Sequence, residues 1–313
     1  MPTLPLSAAT GAGRRADSPP VQKARNARLV GLACVVFTAL GWGLNWPATK
    51  YLLTICPPLS ARGVSGLIAG GFLFSIAAYR GETLAVPRPL LGRVAAAALL
   101  NVSAWMGLTT ASMLWLPAGE AATLAYTMPV WATLLAWPVL GERPNLRQIG
   151  AIVLGCSGVL VLVGGTRPSL EVSRFPGIVL ALSAAILFAL GTVRAKRAPI
   201  PLPRLALTAW QVTLGCLPLL ICGRLTEHTD FADMPPIGWM AIAYTALVSM
   251  GLCYLLWFAA IRHLKASSAA IGTLLTPVVG VAASSVALGE MLTVDQGVLL
   301  ALVASGIILT FRD

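Results

Sequence analysis

Acid is scarce in this sequence. Asp and Glu number 11 in 313 residues, Lys and Arg number 22, and charged residues together make up 11% of the chain. A soluble domain of this size needs far more polar surface than that. Histidine is scarcer still. His228 and His263 lie far apart and read as loop residues, so no metal cluster is visible. The six cysteines, Cys34, Cys56, Cys156, Cys216, Cys222 and Cys253, include no CxxC pair. All but Cys56 fall inside apolar runs and read as small buried hydrophobes, not ligands or disulfides. A nucleophile–base pair, a phosphate loop and metal-ligand spacing are also missing. This argues against an enzyme, and no cofactor is expected.

What is present is apolar side chain, 57% of the residues. It is gathered into runs that predict ten helical spans, at 29–49, 59–79, 93–114, 119–138, 147–164, 176–195, 205–223, 238–260, 267–288 and 294–311. Most hold about 20 residues, enough to cross ~30 Å of hydrocarbon as helix. Backbone amides left unpaired in lipid are costly, which makes each span helical. The stretch 93–138 is nearly continuous, and Leu116-Pro117-Ala118-Gly119 supplies its break. The longest connection, about 224–237, has no fold of its own, so function must reside within the bundle. Residues 1–28 differ: Arg14, Arg15, Lys23, Arg25 and Arg28 with Pro19 and Pro20 read as a disordered basic tail.

A net charge of +11 would suggest nucleic acid in a soluble protein. Here the basic residues lie between apolar runs, so the partner is the lipid bilayer and no nucleic acid is expected. With the N-terminus inside, one side of the bundle carries 17 Lys and Arg, and the other carries 4: Lys50, Arg167, Arg174 and Arg224. The positive-inside rule then puts both termini in the cytoplasm.

The chain repeats itself. At an offset of 148 residues Leu140-Gly141-Glu142 recurs as Leu288-Gly289-Glu290, Pro129 as Pro277, Ala121-Ala122 as Ala269-Ala270 and Gly158 as Gly306. A weaker match links Ala39-Leu40-Gly41 to Ala189-Leu190-Gly191. Five spans per half is an odd number, so the halves 29–164 and 165–313 would enter the membrane from opposite sides. Such inverted repeats place a solute site between halves that rock for alternating access. Duplication without transport is the plainer alternative.

The segments ALGWGLNWPATK, AAxxAYTMPVWATLLAWPVLGERPNLRQIGAIVLGCSGVLVL and SSAAIGTLLTPVVGVAASSVALGEMLTVDQGVLLALVASGIIL resemble the EamA type of the drug/metabolite transporter superfamily, over about residues 29–312. The resemblance implies an all-α membrane protein of ten helices in a bacterial inner membrane. It further implies export of amino acids or other small metabolites through a central cavity lined by helices other than the fifth and tenth. It does not fix the substrate.

Polar residues inside spans are the candidate site. Thr38, Trp42, Asn45, Trp46 and Thr49 share one helical face, suited to a solute with polar and apolar parts. Trp46 is alternatively an interfacial belt residue. Asn101, Trp105, Thr109 and Ser112 share another face, and Glu120, Tyr126, Thr127, Gln211, Tyr254 and Trp257 complete the candidates. Ser and Thr often bond their own helix or a neighbour, so singly each fits packing as well. Pro129 and Pro277 read as mid-helix weak points that are either hinges or static kinks. Glycine before Glu142 and Glu290 reads as a helix C-cap, with the acid in a structural turn. Gly66 and Gly70, Ala151 and Gly155, and Ala301 and Ser305 are small pairs suited to close packing.

Arg62 and Glu120 stand apart as ionisable residues within spans, both near the outer end. They form either a gate, meeting the charged ends of an amino acid, or a lipid-phosphate contact and a helix cap. Glu120 could also couple transport to pH. Efflux of lipophilic cations is the alternative function, weakened by a first span without an acid. A non-transporting membrane scaffold is the alternative of another class. Monomer and homodimer both stay open.

Overall fold

The computed structural model describes residues 20–163, 168–264 and 272–311. Arg14, Arg15, Arg167, Lys265, Arg312 and the repeat pair Ala269-Ala270 lie outside the described residues. Among the described residues all regular structure is helical. In chain order the helices are α1 (Pro20–Leu52), α2 (Pro58–Tyr79), α3 (Leu91–Ala98), α4 (Trp105–Ser112), α5 (Ala118–Ala125), α6 (Met128–Leu140) and α7 (Leu146–Val163). After them come α8 (Pro168–Arg197), α9 (Arg204–Thr226), α10 (Pro236–Ala243), α11 (Cys253–His263), α12 (Leu275–Leu288) and α13 (Val294–Phe311). Wide π-helical turns join α3 to α4 (Leu99–Ala104) and α10 to α11 (Tyr244–Leu252), so each pair runs as one span.

Among the described residues seven helical segments are long and apolar enough to cross a membrane: Arg25–Leu52, Pro58–Tyr79, Arg88–Ser112, Ala118–Leu140, Ser173–Arg197, Arg204–Thr226 and Pro236–His263. Leu146–Val161, Leu275–Leu288 and Val294–Gly306 are shorter and also apolar. Side chains such as Phe37, Val153, Leu160 and Val286 are exposed around the bundle. Water does not solvate such a belt, whereas lipid does.

Several sequence readings need correction. α1 begins at Pro20, inside the segment read as a disordered tail. Arg174 lies within α8, which begins before the expected span start at 176 and continues through Pro176. His263 ends α11 and is not in a loop. Pro129 and Pro277 are not mid-helix. Pro129 is the second residue of α6 and Pro277 the third of α12, each just after an interruption, at Tyr126–Thr127 and Thr273–Leu274. First-turn amides have no intrahelical acceptor, so proline costs little there. Ala301 and Ser305 are exposed. α13 instead meets α7 through Gly306 against the Ala151 carbonyl and Leu299 against Gly158.

The break at Leu116–Gly119 is as expected, with α4 ending at Ser112 and α5 beginning at Ala118. Gly141 and Gly289 both end their helices in the left-handed region, at φ +76° and +65°, which an L side chain adopts only with strain. α2 and α9 approach closely along Gly63, Gly66 and Gly70. A β-carbon at Gly66 would lie 2.1 Å from Cys216 Sγ, and one at Gly70 2.1 Å from Thr213 Oγ1.

Helix starts are tied across the bundle by acids. α2, α5 and α9 follow a proline N-cap, which offers no side-chain bond to their first amides. A distant carboxylate does so instead. Glu227 accepts from Leu59 N (3.0 Å) and Ser60 N (2.8 Å), Glu82 from Ala206 N (3.0 Å), and Glu290 from Ala118 N (2.7 Å) and Gly119 N (3.2 Å). The acid satisfies otherwise orphaned amides and complements the positive end of the helix dipole. Glu290 thus does more than occupy a turn. Replacing Glu227 by alanine is expected to cost about 1 kcal/mol, read as a lower midpoint of thermal unfolding in detergent. An unchanged midpoint would show that water caps α2 equally well.

Candidate functional site

Among the described residues the bundle holds two adjoining cavities. The inner one, about 100 Å³, is lined by Trp42, Asn45, Trp46, Arg62, Trp105, Thr109, Tyr126, Ser249, Tyr254, Phe188 and three methionines, Met106, Met128 and Met250. The second, about 560 Å³, shares Trp42, Tyr126, Met128, Phe188 and Tyr254 with it. It continues past Pro129, Thr133, Thr192 and Trp257 to Gln148, Glu142 and Lys196. Lys196 and Glu142 pair at 2.6 Å with side chains 63% and 53% exposed, so this cavity reaches the edge of the bundle.

The shared residues form an aromatic collar. Trp42 packs edge-on to Tyr254 at 5.8 Å and tilted against Trp257 at 6.1 Å, while Trp105 lies 4.8 Å from Phe188 and 6.4 Å from Tyr126. Edge-to-face pairs hold rings at fixed angles, which preserves the walls of the space. Trp42 Nε1 donates to the Ser249 carbonyl at 2.9 Å, and Thr245 Oγ1 donates to Asn45 Oδ1 at 3.0 Å. Both partners lie on the π-helical turn Tyr244–Leu252, whose Tyr244 hydroxyl donates to the Gly41 carbonyl at 2.9 Å. With Thr38 Oγ1 donating to the Cys253 carbonyl at 3.4 Å, four side-chain bonds fix α1 against α10–α11. Wide turns of this kind recur at functional sites.

The far end is filled. Trp46 and Thr49 are buried, Lys50 donates to the carbonyls of Met113 and Leu116, and Glu290 caps α5. Arg62 sits at this end of the inner cavity. Its Nε donates to Thr110 Oγ1 at 2.6 Å and its Nη2 to Thr49 Oγ1 at 3.0 Å.

A model of the EamA-like transporter family matches residues 29–164 and 175–312. The chain belongs to the EamA-like transporter family. An uncharacterized transporter, YvbV, of Bacillus subtilis (strain 168) is 32% identical over 250 residues, covering 79% of this chain and 80% of that one. A probable amino-acid metabolite efflux pump of Salmonella typhimurium is 29% identical, covering 77% and 81%. The uncharacterized inner membrane transporter YedA of Escherichia coli (strain K12) is 26% identical, covering 77% of each. One crystal structure shares the fold, with a TM-score of 0.64 at 18% identity over 91% of this chain and 96% of that one. This EamA-like protein is thus an integral membrane transporter, and its family and relatives are transporters, not enzymes.

Of the candidates in this EamA-like chain, Trp42, Asn45, Trp46, Trp105, Tyr126, Tyr254 and Arg62 meet at the inner cavity, and Trp257 and Pro129 line the larger one. Thr127 does not line either. It sits at the break, donating to the Leu124 carbonyl and accepting from Trp131 Nε1. Asn101 points at Gly191 of α8, where a β-carbon would lie 2.0 Å from its Oδ1, and Gln211 is half-buried on α9 away from both cavities. Pro277 is buried in α12.

Arg62 and Glu120 do not meet, contrary to the sequence reading of a shared gate. Glu120 is fully buried, lines neither cavity, and pairs with Arg174, while Gln296 Nε2 donates to it at 3.3 Å. Similar depth along two helices says nothing of the angle between them, and the two residues face different neighbours. Phe188, Met128, Met250 and Met106 escaped sequence reasoning because an apolar residue in an apolar span carries no contrast.

Proposed function

We propose that this protein is a secondary carrier exporting small metabolites, amino acids and their derivatives foremost, by alternating access. In this reading ten helices form two inverted five-helix repeats, 29–164 and 165–313, in a bacterial inner membrane with both termini cytoplasmic. The observation that carries it is the pair of cavities. A collar of aromatic rings opens to the Lys196–Glu142 end and is filled at the other, as a carrier caught facing one side would be. The 148-residue repeat supports it, since Gly141 and Gly289 end helices in the same left-handed conformation. The paired caps, Glu227 on α2 and Glu82 on α9, support it too. The relative named as a probable amino-acid metabolite efflux pump favours amino-acid derivatives as cargo.

Lipophilic-cation efflux has less support, because the acid lining either cavity, Glu142, is already paired with Lys196. The decisive experiment is solute flux in proteoliposomes of purified protein, screening amino acids, their derivatives and organic cations. Trp42→Ala should lower flux about tenfold or more while the variant still inserts, since it removes both the collar and the bond to Ser249. Absence of flux for every solute would favour a scaffold. Cysteine labelling near Arg197 and Asp230 should occur from opposite sides of the membrane, and labelling from the same side would overturn the ten-span topology.

A further inference from the structure

The inner cavity holds a charge that nothing balances. Arg62 is 5% exposed, and its two bonds go to neutral threonine hydroxyls. Its Nη1 is buried without a hydrogen-bond partner. Other cations of the bundle differ: Arg174 has Glu120, and Lys50 has two backbone carbonyls. Among the described residues no carboxylate lies within ion-pair reach of Arg62, and the inner cavity is lined by no acid. Two hydroxyls from α1 and α4 orient the guanidinium without neutralising it. As a static brace this is a poor design, because a buried unpaired charge is costly and a neutral side chain would bond threonine as well. As a docking point it is apt. Nη1 offers two N–H groups to an anion that arrives and leaves.

We propose that Arg62 receives the carboxylate of the transported solute, and that the preferred cargo is a small organic monoanion with a flat apolar body. The proposal rests on the reading of this cavity as the transport site. Charge sets the first limit: one fixed positive charge among aromatic walls attracts a single negative charge and repels a cation. Shape sets the second. The rings of Trp42, Tyr126 and Phe188 flank the space beyond Arg62, where a planar body stacks. The third limit concerns the ammonium of a zwitterion. Asn45 Oδ1 and the Ser249 carbonyl each already accept one bond, from Thr245 and Trp42, and no carboxylate lines the inner cavity to balance an ammonium charge. A carboxylate is matched here and an added ammonium is not.

The test uses three probes that share one ring: indole-3-acetate, tryptophan and tryptamine, an anion, a zwitterion and a cation. Equilibrium binding to the full purified chain in lipid nanodiscs should rank them in that order, with indole-3-acetate at least about tenfold tighter than tryptamine. Arg62→Met should weaken indole-3-acetate about 10- to 100-fold and leave tryptamine unchanged or tighter. Arg62→Lys should keep the order of preference with weaker binding, because a point charge lacks the planar fork. Should Arg62→Met fail to fold, the wild-type ranking and Arg62→Lys decide. Equal binding of tryptamine and indole-3-acetate to the wild type overturns the proposal while leaving the cavity as a solute site. Equal weakening of all three probes by Arg62→Met also overturns it, marking Arg62 as structural. Binding of none of the three removes the solute-site reading and the proposal together.

Discussion

Replacing Gly63 with alanine is expected to abolish stable insertion or to lower the unfolding midpoint severely. A β-carbon there would sit 2.5 Å from both Cα and Cβ of Leu220 and 2.7 Å from its amide nitrogen. Backbone cannot rotate away as a side-chain tip can, so α2 and α9 must part. Overpacking of this kind typically costs about 1–3 kcal/mol and more when backbone must move. Here it also threatens the Glu227 cap, since Ser60 lies one turn from Gly63. Gly71, eight residues on, is the internal control: a β-carbon there meets nothing within 4 Å. Gly71→Ala should unfold at the wild-type temperature or above, because alanine favours helix by about 1 kcal/mol over glycine. Equal behaviour of the two variants in fluorescence-detected size exclusion and thermal melts would disprove the close approach.

The second large effect concerns Glu120. Its partner Arg174 keeps 28% of its side chain exposed, whereas Glu120 keeps none. The pair is therefore asymmetric. Glu120→Gln releases an arginine that can turn to water, and the loss should be modest. Arg174→Met strands the Glu120 carboxylate, whose Oε2 accepts from Gln296 and whose Oε1 already lacks a partner. Stranding a buried charge costs about 3–5 kcal/mol, so this variant should lose most of its folded yield. The double variant Glu120→Gln, Arg174→Met should recover much of it, because a neutral pair leaves no charge to desolvate. A double variant as unstable as Arg174→Met alone would rule out the ion pair as the cause.

Contrast decided what could be read from the sequence. Trp42, Asn45, Trp46 and Trp105 announce themselves because indole and amide groups at helical spacing are rare in apolar spans, and they do converge on one cavity. The Gly141 and Gly289 caps were legible for a similar reason, since a glycine followed by an acid ends an apolar run. Azimuth was not legible. Arg62 and Glu120 have similar depth, yet the first reaches Thr49 and Thr110 and the second Arg174 and Gln296. Hydropathy fixes where along a helix a residue lies, and packing fixes which neighbour it faces. The wide turns at Leu99–Ala104 and Tyr244–Leu252 left no local mark, because a π-turn needs no glycine or proline. Asn101 misled for that reason. The residue is half-buried, and it points at Gly191.

The interruption at Tyr126–Thr127 divides one span into two unlike environments. All eight residues of α5 are buried, while in α6 Val130 is the buried residue. A helix buried on every side has no outward stripe on which substitutions can accumulate harmlessly. α5 is accordingly built from small residues, Ala118, Gly119, Ala121, Ala122 and Ala125, that let neighbours close in from all directions. Its continuation α6 presents half-exposed positions such as Trp131 and Ala132 and outward ones such as Trp137. Drift among descendants of this sequence should therefore be uneven along a single transmembrane segment. Before residue 126 variation is suppressed at every position alike, and after it variation returns with the rhythm of a helix that has a back to lipid.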